Sequence, residues 1–262
     1  MGRLGQTLTD CRAAGRAALV PYLCCGDPSP ERTVELVLAA ADAGADIVEL
    51  GMPFSDPTAD GPVIQRASAR ALKAGMTLSR LFEVVREVRR SSSVPLLLFG
   101  YYNPLLRFGE AAAVHEAKAA GIDGFLVVDL PPEEANDLAA ACAAAELDFV
   151  PLLAPTSTAR REQKVREIAR GFVYYVSMTG ITGGKVADLR GAAERANALS
   201  ERIGLPVALG FGIKTPEDAA VVAPHVHGVV VGSALTTVVE QHAADPVPPF
   251  RAAIEDLRRA LA

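Results

Sequence analysis

A chain of 262 residues that is 50% apolar and 22% charged has material for one large core and is too oily for global disorder. Its 26 basic and 31 acidic residues give a net charge of −5 with no block of like sign, which excludes the basic footprint of a nucleic-acid binder. No apolar run nears the roughly 18 residues of a membrane span. Residues 1–16 lack the apolar stretch of a secretory signal, and Gln6 stands where an N-myristoylation motif has Ser or Thr, so a cytoplasmic protein is expected.

In chain order, residues 4–14 show the spacing of an amphipathic helix ahead of the first strand, suited to plug the bottom of a barrel. β-Branched and apolar runs follow at 18–23, 47–51, 94–99, 124–130, 148–154, 172–177, 206–211 and 228–232, about eight strands, the number that closes a parallel barrel. Between them apolar residues return at helical spacing, as in Val34, Val37, Leu38 and Ala41, in Leu78, Leu81, Phe82 and Val85, and in Ala135, Leu138, Ala139 and Cys142. Strands apolar on both faces fit a wall lined inside and covered by helices outside. After the Pro246-Val247-Pro248-Pro249 break, residues 250–261 read as one more amphipathic helix. No linker marks a second domain. The expected architecture is a single α/β domain over residues 1–262, a (β/α)8 TIM barrel with an extra N-terminal and an extra C-terminal helix. The same local pattern also admits a doubly wound open sheet.

In a closed parallel barrel, chemistry sits at the C-terminal ends of the strands. Glu49 lies inside Ile47-Val48-Glu49-Leu50-Gly51, where an ionised carboxylate loses much of its solvation unless paired or protonated. Such an acid is suited to exchange a proton near neutral pH; a buried Glu tied to an Arg or a hydroxyl for structure is the alternative. The loop from Pro53 to Asp60, stiffened with Pro57 and Pro62, brings Asp56 and Asp60 over the mouth. Asp60 reads as the second catalytic carboxylate, and Asp56 as fixing the loop or meeting a partner. No histidine or third carboxylate joins them at metal spacing, so neither a metal nor a cofactor is called for.

Gly210-Phe211-Gly212 and Gly232-Ser233 end the last two strands, the latter just ahead of a helix, and Thr179-Gly180-Ile181-Thr182-Gly183-Gly184-Lys185 ends the strand before them. Glycines that admit backbone N–H groups, with a helix N-terminus, predict a phosphate cradle, and the segment from Thr179 to Lys185 reads as a lid. Cys11, Cys24, Cys25 and Cys142 form no C-x-x-C pair or zinc spacing and read as reduced and mostly buried, with a catalytic Cys24 or Cys25 as the alternative. His115, His225, His227 and His242 fall in helices or below the barrel and carry no catalytic reading.

The continuous segment from Glu49 through Met52-Pro53-Phe54-Ser55-Asp56-Pro57-Thr58-Ala59-Asp60-Gly61-Pro62 to Gln65 resembles the signature of the tryptophan synthase α-subunit family. Gly26-Asp27-Pro28, Tyr101-Tyr102-Asn103-Pro104, Asp129-Leu130-Pro131-Pro132-Glu133, Ser177-Met178-Thr179-Gly180, Gly210-Phe211-Gly212-Ile213 and Val231-Gly232-Ser233-Ala234 extend the likeness along essentially the whole chain. The resemblance implies retro-aldol cleavage of indole-3-glycerol phosphate to indole and glyceraldehyde 3-phosphate, without a cofactor. Carried over by position, Glu49 is the general acid–base, Asp60 accepts the indole N–H, and Tyr174 lies near the reacting carbons. Tyr22, Phe99, Tyr101, Thr182 and Phe211 match substrate-binding positions, and Gly183, Gly212, Gly232 and Ser233 match the phosphate cradle.

Cys24-Cys25, Met178 and Gly184-Lys185 depart from common family residues. The resemblance further implies a β subunit that receives the indole in an α2β2 tetramer, met through the Pro53 to Asp60 loop, Asn103-Pro104 and the Thr179 to Lys185 lid. A stand-alone indole-releasing lyase and a silent barrel that activates a β subunit are the rival functions.

Overall fold

The apolar runs pair into one all-parallel sheet in a computed structural model that describes residues 2–176, 188–210 and 212–261. Its strands are β1 (Ala18–Cys24), β2 (Val48–Gly51), β3 (Leu96–Gly100), β4 (Gly124–Val127), β5 (Asp148–Phe149), β6 (Leu152–Leu153), β7 (Val173–Val176), β8 (Val207–Gly210) and β9 (Gly228–Val231). They lie in the order β5-β4-β3-β2-β1-β9-β8-β7-β6. The two outer strands are halves of one run, 148–154, interrupted at Val150-Pro151. Val150 N–H donates to the Phe125 carbonyl at 2.8 Å, and the Pro151 carbonyl accepts from Tyr174 N–H at 3.0 Å. The chain therefore steps from one margin of the sheet to the other across its proline, which has no N–H to give a ladder. Eight strand positions close into a ring, and the open-sheet alternative falls.

Boundaries differ from the sequence pattern where proline intervenes. The third strand starts at Leu96, after Pro95, and the fourth ends at Val127, short of Leu130 and Pro131. The last helix spans Val247–Ala260 and takes Pro248 and Pro249 into its first turn, where a missing N–H costs no helical bond. Helices Pro62–Lys73 and Tyr102–Phe108 were not anticipated. The first buries Ile64, Ala67, Ser68 and Ala71 at helical spacing along one face and leaves its charged residues on the other.

The helix Arg3–Ala13 closes the bottom of the ring as expected. Leu4 and Leu8 are fully buried, and each enters where a strand begins with glycine: a Cβ on Gly124 would collide with Leu4 Cδ1 at 2.7 Å, and one on Gly228 would lie 3.4 Å from Leu8 Cδ2. Asp148, wholly buried at the start of β5, accepts from Leu4 N–H at 2.9 Å and so satisfies one orphan donor at the positive end of this helix. Burial raises its pKa, and these helix amides pull the other way.

Two more aspartates bind the lower rim. Asp46 accepts from Leu19 N–H at 2.8 Å, takes a two-point contact from Arg16 at 2.8 and 2.7 Å, and meets Arg258 of the last helix at 3.1 Å. Asp123 accepts from Leu96 N–H at 2.8 Å and pairs with Arg89 at 2.9 Å and Arg3 at 3.1 Å. Each carboxylate thus ties a strand start to a covering helix. Truncating Leu8 to alanine is expected to lower the unfolding free energy by roughly 2–5 kcal/mol in urea titrations, because its side chain is fully buried in the plug.

Candidate active site

In β2, Glu49 stands in register with Tyr22 of β1 and Leu97 of β3, so its side chain faces the interior. It is 1% exposed, and its Oε1 has no hydrogen-bond partner among the described residues. With nothing to stabilise the anion, desolvation lifts its pKa from 4.5 to about 8. The group is a neutral acid at pH 7, able to donate.

Asp60 reaches the same cavity from the loop after β2. Tyr101 Oη, just beyond β3, donates to Asp60 Oδ2 at 2.9 Å and accepts from Ala59 N–H at 3.0 Å. Phe54 packs against the Tyr101 ring at a centroid distance of 5.0 Å, fixing the loop further. Burial raises the Asp60 pKa to about 6, held back by the Tyr101 hydroxyl, so this carboxyl is ionised where Glu49 is not. Gln65 Nε2 donates to the Asp60 carbonyl at 2.9 Å, joining the loop to the helix Pro62–Lys73. Asp56 stays outside, its carboxylate accepting from the Ser55 hydroxyl at 2.5 Å.

The cavity holds about 310 Å³ and is lined by Tyr22, Glu49, Asp60, Phe99, Tyr174, Gly212, Gly232 and Ser233, together with Gly61, Pro62, Val63, Ile64, Ile213 and Val230. Tyr22 meets Phe99 edge to face at 5.4 Å, forming an apolar wall. Burial pushes the phenols of Tyr22 and Tyr174 well up, and the charges of Glu49 and Asp60 add to the shift in both, so each ring stands beside both acids. Two glycines make this possible. A Cβ on Gly51 would overlap the Tyr22 hydroxyl, and one on Gly210 would overlap that of Tyr174. Gly210, grouped by sequence with the phosphate cradle, has this second and independent reason to be glycine.

On the opposite side, Gly212 takes a positive φ of 88°, open to glycine, and Gly232 precedes the helix Ser233–Gln241 without a side-chain cap. The first-turn amides of that helix are left facing the cavity, where an anion can take the place of the cap. Of the expected site residues, Tyr101 holds Asp60 instead of lining the cavity, while Thr182, Gly183, Phe211 and the segment from Thr179 to Lys185 lie outside the described residues. Val63, Ile64, Ile213 and Val230 were not singled out by sequence, being ordinary aliphatics with no local mark of their role.

Cys11, Cys24, Cys25 and Cys142 are free and buried. Burial pushes the Cys24 thiol up to about 12 and the Cys25 thiol well up, which removes the thiolate a nucleophile needs. Among the described residues, no group of three or more His, Cys, Asp and Glu is placed to hold a metal ion, and no helix is long and apolar enough to cross a membrane.

A family profile described as tryptophan synthase alpha chain matches residues 8–258. The tryptophan synthase alpha chain of Halorhodospira halophila is 47% identical, with 100% of this chain and 97% of the relative covered. That of Burkholderia thailandensis is 49% identical over 94% of this chain and 91% of its own length. Tryptophan synthase subunit alpha from Legionella pneumophila superposes with a TM-score of 0.91 at 38% identity, covering 100% of this chain and 98% of that one. A chain of tryptophan synthase from M. tuberculosis in its aminoacrylate-bound form gives 0.89 at 34% identity, covering all of both chains. Fold and comparisons together define a (β/α)8-barrel enzyme, a carbon–carbon lyase of amino-acid biosynthesis. The chain belongs to the tryptophan synthase alpha chain family, and its reaction is the cleavage of indole-3-glycerol phosphate to indole and glyceraldehyde 3-phosphate.

The buried acid makes stability depend on pH. The folded protein keeps the Glu49 proton up to about pH 8, whereas the unfolded chain releases it near 4.5, so unfolding releases a proton throughout that window. Stability contributed by this group is full below 4.5, falls as pH rises by about 1.4 kcal/mol per unit, and levels off above the folded pKa. Urea midpoints compared between pH 7 and pH 8, above the Asp60 transition, are expected to fall in the native protein and to lose this component of the slope in Glu49→Gln.

Proposed function

We propose that Glu49 and Asp60 divide the retro-aldol chemistry between them according to their different proton affinities. Glu49 enters neutral and gives its proton to indole C3. The ring becomes an indolenine cation, whose N–H the ionised Asp60 accepts and whose charge it balances. The Glu49 carboxylate then takes the proton from the glycerol hydroxyl next to the ring. As that oxygen becomes the aldehyde carbonyl, the bond to C3 breaks and its electron pair returns to the ring to give indole. Glu49 ends protonated, as it began, and no redox partner is required.

The observation that carries this reading is the fully buried Oε1 of Glu49, without a hydrogen-bond partner among the described residues, in a cavity shared with a second carboxyl that is hydrogen-bonded and more acidic. Tyr22 and Phe99 offer the indole an apolar wall, and Tyr174 stands by the reacting carbons. Gly212, Gly232 and Ser233, with Gly183, take the phosphate, and the uncapped helix at Ser233 supports that role. Thr182 and Phe211 complete the proposed substrate contacts.

The free-enzyme kcat/KM for indole-3-glycerol phosphate is expected to follow a bell, rising as Asp60 ionises near pH 6 and falling as Glu49 ionises near pH 8. Glu49→Gln should reduce turnover by roughly 100-fold to 10,000-fold and leave binding of glycerol 3-phosphate within about twofold, since a removed general acid does not touch the phosphate. Turnover near the native rate in that variant, measured as released indole, would sink the assignment.

The family implies a β-subunit partner, and we assign its contact to the Pro53 to Asp60 loop, Asn103-Pro104 and the Thr179 to Lys185 lid, in an α2β2 assembly that passes indole onward. Support comes from Leu106, 56% exposed two residues after Pro104, and from a groove beside Phe54, Pro57 and Leu72. The four free cysteines fit the reducing cytoplasm in which we place the enzyme. Leu106→Glu is expected to weaken β-subunit binding about tenfold or more in calorimetric titration, with the isolated chain's own turnover unchanged.

A further inference from the structure

Two neighbouring helices carry the two ends of the cavity, and charge ties them together behind it. Pro62–Lys73 begins two residues after Asp60, and Ser233–Gln241 begins at the uncapped cradle. One and two turns into the first helix, Arg66 and Arg70 reach Glu240, two turns into the second. Arg66 donates from Nε and Nη2 at 2.8 and 2.7 Å, and Arg70 from Nη1 at 2.6 Å. With Nε and Nη2, Arg70 also grips both oxygens of Asp27 at 2.8 Å each. Asp27 is 3% exposed and lies on the loop after β1, the strand that carries Tyr22.

A planar guanidinium with donors on separate edges fixes three elements in one geometry, which the single ammonium of lysine does not. None of Asp27, Arg70 and Glu240 lines the cavity. The Glu240 carboxyl is held down to about 2, first by the Arg66 hydrogen bond, so the tie stays ionised at any pH where turnover is measured.

We infer that Asp27, Arg70 and Glu240 form a clamp that sets the span between Asp60 and the Gly232-Ser233 cradle, which makes Arg70 a positioning residue for a substrate held at both ends. The inference rests on the assignment of Asp60 to the indole end and of Gly232-Ser233 to the phosphate end. A substrate gripped at both ends registers a change of span at the reacting carbon, where a shift on the order of 1 Å lowers the rate about 100-fold. A ligand gripped at one end does not register it.

The test uses the full chain carrying Arg70→Lys, Glu240→Gln or Glu240→Asp, with kcat and KM for indole-3-glycerol phosphate, the Kd of glycerol 3-phosphate, and thermal melting. Glu240 is partly exposed, so its variants carry the test if Arg70→Lys does not fold. The expected result is a fall in kcat/KM of about tenfold or more, mainly in kcat, with the Kd of glycerol 3-phosphate within about twofold of native. Glu240→Asp keeps the charge but is one methylene short, and should not restore the rate lost in Glu240→Gln.

Unchanged kinetics, full rescue by Glu240→Asp, or a Kd for glycerol 3-phosphate that weakens in step with kcat/KM would each overturn the clamp while the reaction assignment stands. A native chain that binds glycerol 3-phosphate yet releases no indole would overturn that assignment and the clamp with it.

Discussion

An acid deprived of water sets the electrostatics of this molecule's cavity. The interior wall around Glu49 offers aromatic and aliphatic surface and, at Oε1, no hydrogen-bond donor among the described residues, so burial there favours the protonated carboxyl. Everything above it on the barrel follows from keeping that environment dry yet reachable. The second acid shows how small a difference suffices to reverse the outcome: Asp60, half-buried and given one phenolic donor by Tyr101, stays ionised under conditions where its neighbour does not. Two carboxyl groups in one cavity thus acquire opposite charge states from packing and one hydroxyl.

That packing depends on absences as much as on groups present. Gly51 and Gly210 leave the room into which the Tyr22 and Tyr174 rings fold, and those rings supply much of the low-dielectric surface beside Glu49. At the far end of the barrel, Gly124 and Gly228 admit Leu4 and Leu8 of the plugging helix in the same manner. The strand starts of the lower rim are held by aspartate and arginine ties, and the cavity opens at the upper rim. A stable end and a reactive end are thereby separated by the length of the strands.

The barrel was legible because β-branched runs and helical stripes alternate at regular intervals, and Glu49 was legible because a charge interrupts an apolar run. The likeness to a known family then pointed to Tyr22, Phe99, Tyr174, Gly212, Gly232 and Ser233, which line the cavity. What stayed hidden has physical reasons. Tyr101 and Asp60 are 41 residues apart, and nothing local announces that one hydroxyl bridges the loop amide and the carboxylate. The fifth strand read as one run because the pattern of apolar residues continues through Pro151, whereas the ladder does not. Arg70 looks like any surface arginine on a helix until Asp27 and Glu240 are brought to it by the closure of the ring.

The seam at Val150-Pro151 divides the wall into two arcs that share a full ladder only along β1. One arc bears Glu49, Asp60, Phe99 and Tyr101; the other bears Tyr174, Gly212, Gly232 and Ser233. The two carboxyl groups and the Phe99 wall therefore belong to the stretch before residue 150, and the ring of Tyr174 with the glycines at 212 and 232 to the stretch after it. Evolution can retune either without rewriting the other, so long as the common staves between them hold their pitch.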